Sequence, residues 1–169
     1  MTARPHLTVL GMQGSGKSTL ANVLSERSGL PHLDGDLLLG DVTGGRTAHQ
    51  VAEREGVAAL HRLEAAAARQ ALAGSEPAIL SLAGSVLDDP PTVHAIRSRS
   101  WLVVVLEADP ALLVERAADD DHRRPMDAGE LAARWVERRA VAMSIADLLL
   151  DAALPVDDLA ARVATTGWC

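Results

Sequence analysis

Short apolar runs alternate with longer amphipathic stretches from one end of the chain to the other. His6 to Leu10 (HLTVL) predicts a short buried strand, and a glycine-rich turn from Gly11 to Gly16 follows it directly. Thr19 to Ser28 carries leucine and valine at helical spacing and stops at Gly29, a residue suited to the left-handed backbone that ends many helices. Pro31 to Leu33 predicts a second short strand running into the acidic turn Asp34-Gly35-Asp36. Thr47 to Gln70 is helical in pattern, with a break near Gly56. Three more strands are predicted at Ala78 to Leu82, Trp101 to Leu106 and Ala146 to Leu150. Helices are predicted at Pro91 to Ser98, Pro110 to Ala118, Ala128 to Ile145 and Val156 to Ala164. Strands apolar along their whole length, alternating with helices, are covered on both sides, which is the pattern of a parallel sheet between two helical layers. The fold class expected is therefore α/β, in a single domain over residues 1–169, a length that suits one core.

Composition narrows the function classes. A net charge of -7 opposes nonspecific attraction to nucleic acid or to an anionic membrane. At 48% hydrophobic and 23% charged residues the chain is globular in type, and no apolar run is long enough to span a bilayer. The first residues lack the apolar stretch of a signal peptide, and the single cysteine, Cys169, permits no internal disulfide. A cytoplasmic, monomeric protein without nucleic-acid or membrane partners is expected. Of 16 basic residues only Lys17 is a lysine, and Phe and Tyr are absent. That bias is what a GC-rich coding sequence produces, so the position of the one lysine carries more information than the shortage.

Lys17 closes the segment Gly11-Met-Gln-Gly-Ser-Gly-Lys-Ser18, which satisfies G-x-x-x-x-G-K-[ST] between a predicted strand and a predicted helix. A loop that wraps a phosphate must turn its backbone N–H groups inward, which Gly11, Gly14 and Gly16 permit, while the next helix points its N-terminus at the anion. Lys17 is then expected to reach the β- and γ-phosphates of ATP, Ser18 to ligate Mg²⁺, and Ser15 and Thr19 to complete the cradle. Asp34 and Asp36 end the second strand on the side that faces the phosphate loop in a parallel sheet. One carboxylate there can serve Mg²⁺ and the other can orient or deprotonate an acceptor hydroxyl.

From the phosphate loop to its last helix the chain resembles the shikimate kinase family. The matching segments are GMQGSGKST (11–19), LPHLDGD (30–36), AEREGVAALHRLE (52–64), RRPM (123–126), ER (137–138) with AD (146–147), and the helix after Pro155. The resemblance implies a three-layer P-loop kinase fold, with a five-stranded parallel sheet, helices on both faces and a mobile lid over about 118–126. It also implies ATP-dependent phosphorylation of a hydroxyl on a small carboxylate. In that scheme Asp34 serves Mg²⁺ and Asp36 contacts the acceptor hydroxyl. Arg124 is the lid arginine over the phosphates, and Lys17, Asp36 and Arg124 are the catalytic set. Arg116 and Pro155 flank adenine, Arg138 binds the acceptor carboxylate, and Glu64 braces the arginines.

Two positions depart from the family pattern. His61 stands where the family has a carboxylate-gripping arginine; Arg62 is adjacent, but one residue turns about 100° around a helix. The family's three consecutive glycines at the end of the third strand are here Leu82-Ala83-Gly84, and side chains at the first two are expected to narrow or reshape the acceptor pocket. His61 and Gly84 thus stand beside Asp36, Glu64 and Arg138 as expected acceptor contacts. The expected activity is phosphorylation of a small polar metabolite by ATP, with shikimate itself left open as the acceptor. The alternatives are a gluconate kinase-like sugar-acid kinase, which shares the phosphate loop and LDGD (33–36), and a nucleotide-binding protein that catalyses nothing.

Overall fold

The computed structural model describes residues 4–118 and 126–167. Its five strands, β1 (His6–Gly11), β2 (His32–Asp34), β3 (Ile79–Ala83), β4 (Ser100–Glu107) and β5 (Leu148–Asp151), form one parallel sheet in the order β2-β3-β1-β4-β5. The central strand pairs on both sides, with Val9 opposite Ser81 of β3 and Val104 of β4. Connections therefore leave the two flanks of β1 in opposite directions, which opens a crevice beyond its carboxyl end.

The helices are α1 (Lys17–Ser28), α2 (Gly35–Thr43), α3 (Ala48–Glu55), α4 (Val57–Leu72), α5 (Pro90–Arg99), α6 (Pro110–Ala117), α7 (Ala128–Ile145) and α8 (Val156–Ala164). On one face of the sheet Leu20 and Leu24 of α1 and Leu159 and Val163 of α8 pack with Leu7, Val9 and Val104. On the other, Ala68 and Leu72 of α4, Ile96 of α5 and Ala142 of α7 pack with Leu10, Leu80 and Val103. Alternation along β1 sends Leu7 and Val9 one way and Leu10 the other, and each fully buried leucine contributes about 1.5–3 kcal/mol relative to an exposed one. The buried hydroxyl of Thr8 is satisfied by Ser100 at 2.7 Å.

The long helical stretch breaks at Gly56, whose φ of 86° is a left-handed value that glycine adopts without strain. Asp89, Asp109 and Asp127 cap α5, α6 and α7 through their side chains, and a proline follows the first two directly. Two elements were not expected. The acidic turn is the first turn of α2, with Asp34 as its cap accepting a hydrogen bond from the Asp36 N–H, and Leu39 anchors the helix against Ala48, Val51 and Leu60. Beyond β3 a short 3₁₀ turn covers Gly84–Asp88. The fifth strand starts at Leu148 rather than Ala146 because Ala146 caps α7, while the Asp147 carboxylate accepts a hydrogen bond from the Val103 N–H at 2.8 Å.

His6 gives the fold a pH dependence. Its Nε2 donates to the Gly74 carbonyl at 3.1 Å while Nδ1 is buried with no hydrogen-bond partner among the described residues, which favours the neutral ring. Burial, the largest influence, lowers its pKa, and the same cause lowers those of His32 and His61. The unfolded chain then binds more protons than the native one below the ordinary histidine range, so stability is full above about pH 6.5 and declines as pH falls through it. His6→Asn is expected to flatten part of that decline in urea melts recorded between pH 7.5 and 5.5. An unchanged slope would mean that His6 is not one of the groups responsible.

Candidate active site

The phosphate loop joins β1 to α1 at the mouth of the crevice. Gly14 has φ 78°, and a Cβ there would stand 2.2 Å from the Leu113 carbonyl oxygen, so neither the conformation nor the space admits a side chain. Gly16, also left-handed, caps α1, which leaves the first N–H groups of that helix for an anion. Lys17 folds back over the loop, its Nζ donating to the Met12 carbonyl at 3.0 Å. The Ser15 hydroxyl is buried and has no protein partner among the described residues. An unsatisfied hydroxyl next to the N-terminus of α1, which no side chain caps, fits a bound oxyanion.

Asp34 is a heavily hydrogen-bonded carboxylate beside the loop. Its Oδ2 accepts hydrogen bonds from Ser18 Oγ at 2.6 Å and Ser81 Oγ at 3.0 Å, and its Oδ1 accepts one from the Asp36 N–H at 2.8 Å. Burial opposes ionisation, but those hydrogen bonds outweigh it and hold the carboxyl below its usual range. His32, unremarked in the sequence, supports the arrangement: its Nε2 meets Ser81 Oγ at 2.8 Å and its Nδ1 meets the Asn22 side chain at 2.7 Å. A polar residue alternating with apolar ones in a three-residue strand was the available signal.

Two pockets flank the loop. One, of about 470 Å³, is lined by Gly14, Ser15, Gly16, Thr19, Arg116 and Pro155, which brings six of the expected nucleotide contacts together. Arg116 is fixed there by its Nη1 donating to the Ala152 carbonyl at 2.6 Å. The other pocket lies against Met12 and Gln13 and is lined by His61, Glu64, Gly84 and Arg138, four of the expected acceptor contacts, with Arg134 beside them. A Cβ at Gly84 would come within 3.0 Å of Met12 Sδ, so this glycine keeps the pocket floor open. Asp36, the fifth acceptor candidate, borders the adjoining groove with Gly40, Arg46 and Thr47, which shares Ala48 with the acceptor pocket.

The geometry corrects part of the expectation about this pocket. Leu82 does not narrow it: strand alternation turns that side chain into the core against α4 and α5, and only Ala83 lines the pocket. Glu64 accepts a hydrogen bond from Ser85 Oγ, while Arg138 is bound by Asp88, a residue that no motif in the sequence singles out. Arg62 is exposed on α4 and does not line the pocket. Arg124, expected as the lid arginine, lies outside the described residues.

Comparison with known proteins agrees with this geometry. Residues 13–163 match the family model described as shikimate kinase. The shikimate kinase of Symbiobacterium thermophilum is 34% identical over 125 residues, which cover 73% of this chain and 70% of that one. The shikimate kinase of Salinibacter ruber is 31% identical over 172 residues, covering 95% and 82%. Among solved structures, the shikimate kinase from Acinetobacter baumannii in complex with shikimate superposes with a TM-score of 0.87 at 21% identity, over 96% of this chain and 92% of that chain. A gluconokinase from Sinorhizobium meliloti superposes with a TM-score of 0.57 at 20% identity, over 99% and 98%. A phosphate loop at the head of a 2-3-1-4-5 parallel sheet, with a family match over nearly the whole domain, makes this chain a member of the shikimate kinase family.

Proposed function

We propose that the chain transfers the γ-phosphoryl group of ATP to a hydroxyl of a small polar acceptor, with one substrate on each side of the phosphate loop. The observation that supports this reading best is that a single loop borders both pockets, Gly14 to Gly16 on one side and Met12 and Gln13 on the other. Such a loop can present one substrate's terminal phosphate to the other substrate's hydroxyl. The nucleotide phosphates lie along Gly11, Gly14, Ser15, Gly16, Lys17, Ser18 and Thr19, and adenine lies between Arg116 and Pro155. Ser18 and an ionised Asp34 are hard oxygen donors and few in number, a set that suits Mg²⁺, which completes its shell with waters and phosphate oxygens. When bound there, that ion would neutralise phosphate charge.

The chain's own groups do the remaining work by position and charge. Lys17 supplies a compact positive charge to the transferring group, and the loop N–H groups hold its oxygens. Asp36 orients the acceptor hydroxyl and receives its proton. His61, Glu64, Gly84 and Arg138 hold the body of the acceptor, and Arg124 adds charge from the lid. The reaction is assigned to the cytoplasm.

An ADP-release assay with Mg²⁺ and ATP tests the reading over shikimate, quinate, gluconate, hydroxylated amino acids and neutral cyclitols, against a control without acceptor. At least one acceptor is expected to drive turnover of ~1 s⁻¹ or faster, the range of ordinary enzymes. Tight ATP binding with no acceptor-dependent release would instead favour a nucleotide-binding protein that catalyses nothing.

A further inference from the structure

Among the described residues, two arginines and one histidine line the acceptor pocket, and both arginines are already matched by carboxylates. Arg138 donates from Nε and Nη2 to the two oxygens of Asp88, and Arg134 donates from Nε and Nη2 to Glu130. Glu64, buried on α4, adds a third carboxylate. Arg138 keeps its second edge for an acceptor. Its Nη1 lies 4.0 Å from Met12 Sδ and faces Gly84, and both of those residues line the pocket. Two adjacent N–H groups on one edge suit a carboxylate. An anion that takes this edge therefore enters a cluster in which three carboxylates already face two guanidiniums.

His61 is the one group in that lining able to answer with a proton near neutral pH. Its Nδ1 stands 3.7 Å from Asp88 Oδ2, beyond hydrogen-bond range, and the ring makes no hydrogen bond among the described residues. Neither ring nitrogen is therefore committed to the protein. The charged groups acting on it are Glu64 of its own helix, Asp88 of the 3₁₀ turn, and Arg134 and Arg138 of α7; α3 contributes only Ala48 and Ala52 to this pocket. The carboxylates favour the imidazolium and the arginines oppose it. Burial, the largest influence, lowers the pKa and leaves the ring neutral at pH 7 in the free protein. An acceptor carboxylate on Arg138 adds a negative charge to the same pocket and shifts that balance toward the imidazolium.

We propose that His61 is a specificity-determining contact that takes up a proton as the acceptor's carboxylate docks on Arg138, so that affinity for the acceptor rises as pH falls. A proton held more tightly in the complex than in the free protein makes binding tightest below the free protein's pKa. That gain is lost as pH rises through the higher value in the complex. The acceptor carboxylate itself stays ionised across the neutral range. A guanidinium at position 61 would carry its charge at every pH and would show no such dependence. The inference rests on the proposed kinase activity, and its test separates the two.

Shikimate, quinate and gluconate all carry a carboxylate, and whichever of them is turned over fastest serves as the probe. Its KM is expected to rise by ~3-fold or more between pH 6 and pH 8, a single proton limiting the rise to ~10-fold per pH unit. Calorimetry of its binding at pH 7, in two buffers of different ionisation enthalpy, is expected to show net proton uptake, which a merely structural histidine would not produce. His61→Asn keeps a neutral polar group and is expected to abolish the uptake and hold KM level at the high-pH value. His61→Arg is expected to abolish the uptake and hold KM level at or below the low-pH value. A wild-type KM that stays level or falls from pH 6 to pH 8 overturns the inference while leaving the kinase activity standing. So does the absence of proton uptake in the wild type, or uptake that survives in either variant once its melting curve shows it folded. Turnover confined to acceptors without a carboxylate has the same consequence. If neither variant folds, the wild-type measurements decide alone. Acceptor-dependent ADP release by no member of the wider panel removes the kinase reading and this inference with it.

Discussion

Lys17→Met will lower acceptor-dependent ADP release by about 10²–10³-fold or more, while the melting temperature stays within a degree or two of wild type. Lys17 opens α1 directly after the left-handed Gly16, and its Nζ donates to the Met12 carbonyl of the preceding loop. Methionine nearly matches its length and removes the charge together with the hydrogen bond to the Met12 carbonyl, which lies in a partly exposed loop, so the fold has little reason to respond. Lys17→Arg is the sharper comparison. This chain uses arginine for every other basic position, yet a planar guanidinium is too broad for a loop closed around a compact ammonium, and Lys17→Arg is expected to recover little of the lost rate. Full activity in Lys17→Met would remove the phosphate loop from the chemistry altogether.

The parts of the fold written in strong periodicity were legible in the sequence. All five strands lie within two residues of their expected starts, and α7 and α8 begin and end where expected. Helix breaks and starts were readable where a residue's covalent geometry dictates them, as at Gly56 and at Pro110 of α6, while α5 starts at Pro90, one residue before the expected Pro91. What escaped were residues with two roles. Asp-Gly-Asp has the composition of a turn, and α2 was hidden because the carboxylate expected to serve a metal ion also caps a helix. Asp88 was hidden beside Asp89, whose role as the cap of α5 accounts for an Asp-Asp-Pro sequence without any need for the first aspartate. The contrast between Leu82 and Ala83 required knowing which of two adjacent strand residues faces the helices, and a run of buried residues on both faces does not reveal that.

The same double duty of Asp34 makes Asp36→Asn the most discriminating substitution in the site. A general base or hydroxyl-orienting carboxylate contributes about 10²–10⁴-fold, so kcat is expected to fall by that factor. Asp36 supports Asp34 through its main-chain N–H, at 2.8 Å from Oδ1, and asparagine keeps that N–H. The Ser18 and Ser81 hydrogen bonds to Asp34 are untouched by the change, so the Mg²⁺ and nucleotide side of the site should remain whole. Binding of ADP with Mg²⁺, measured by calorimetry, is therefore expected to match wild type while turnover collapses. Equal losses in both measurements would mean that Asp36 acts through Asp34 rather than on the acceptor. Unchanged turnover would move the acceptor hydroxyl away from the start of α2, and with it the division of labour between two carboxylates only two residues apart.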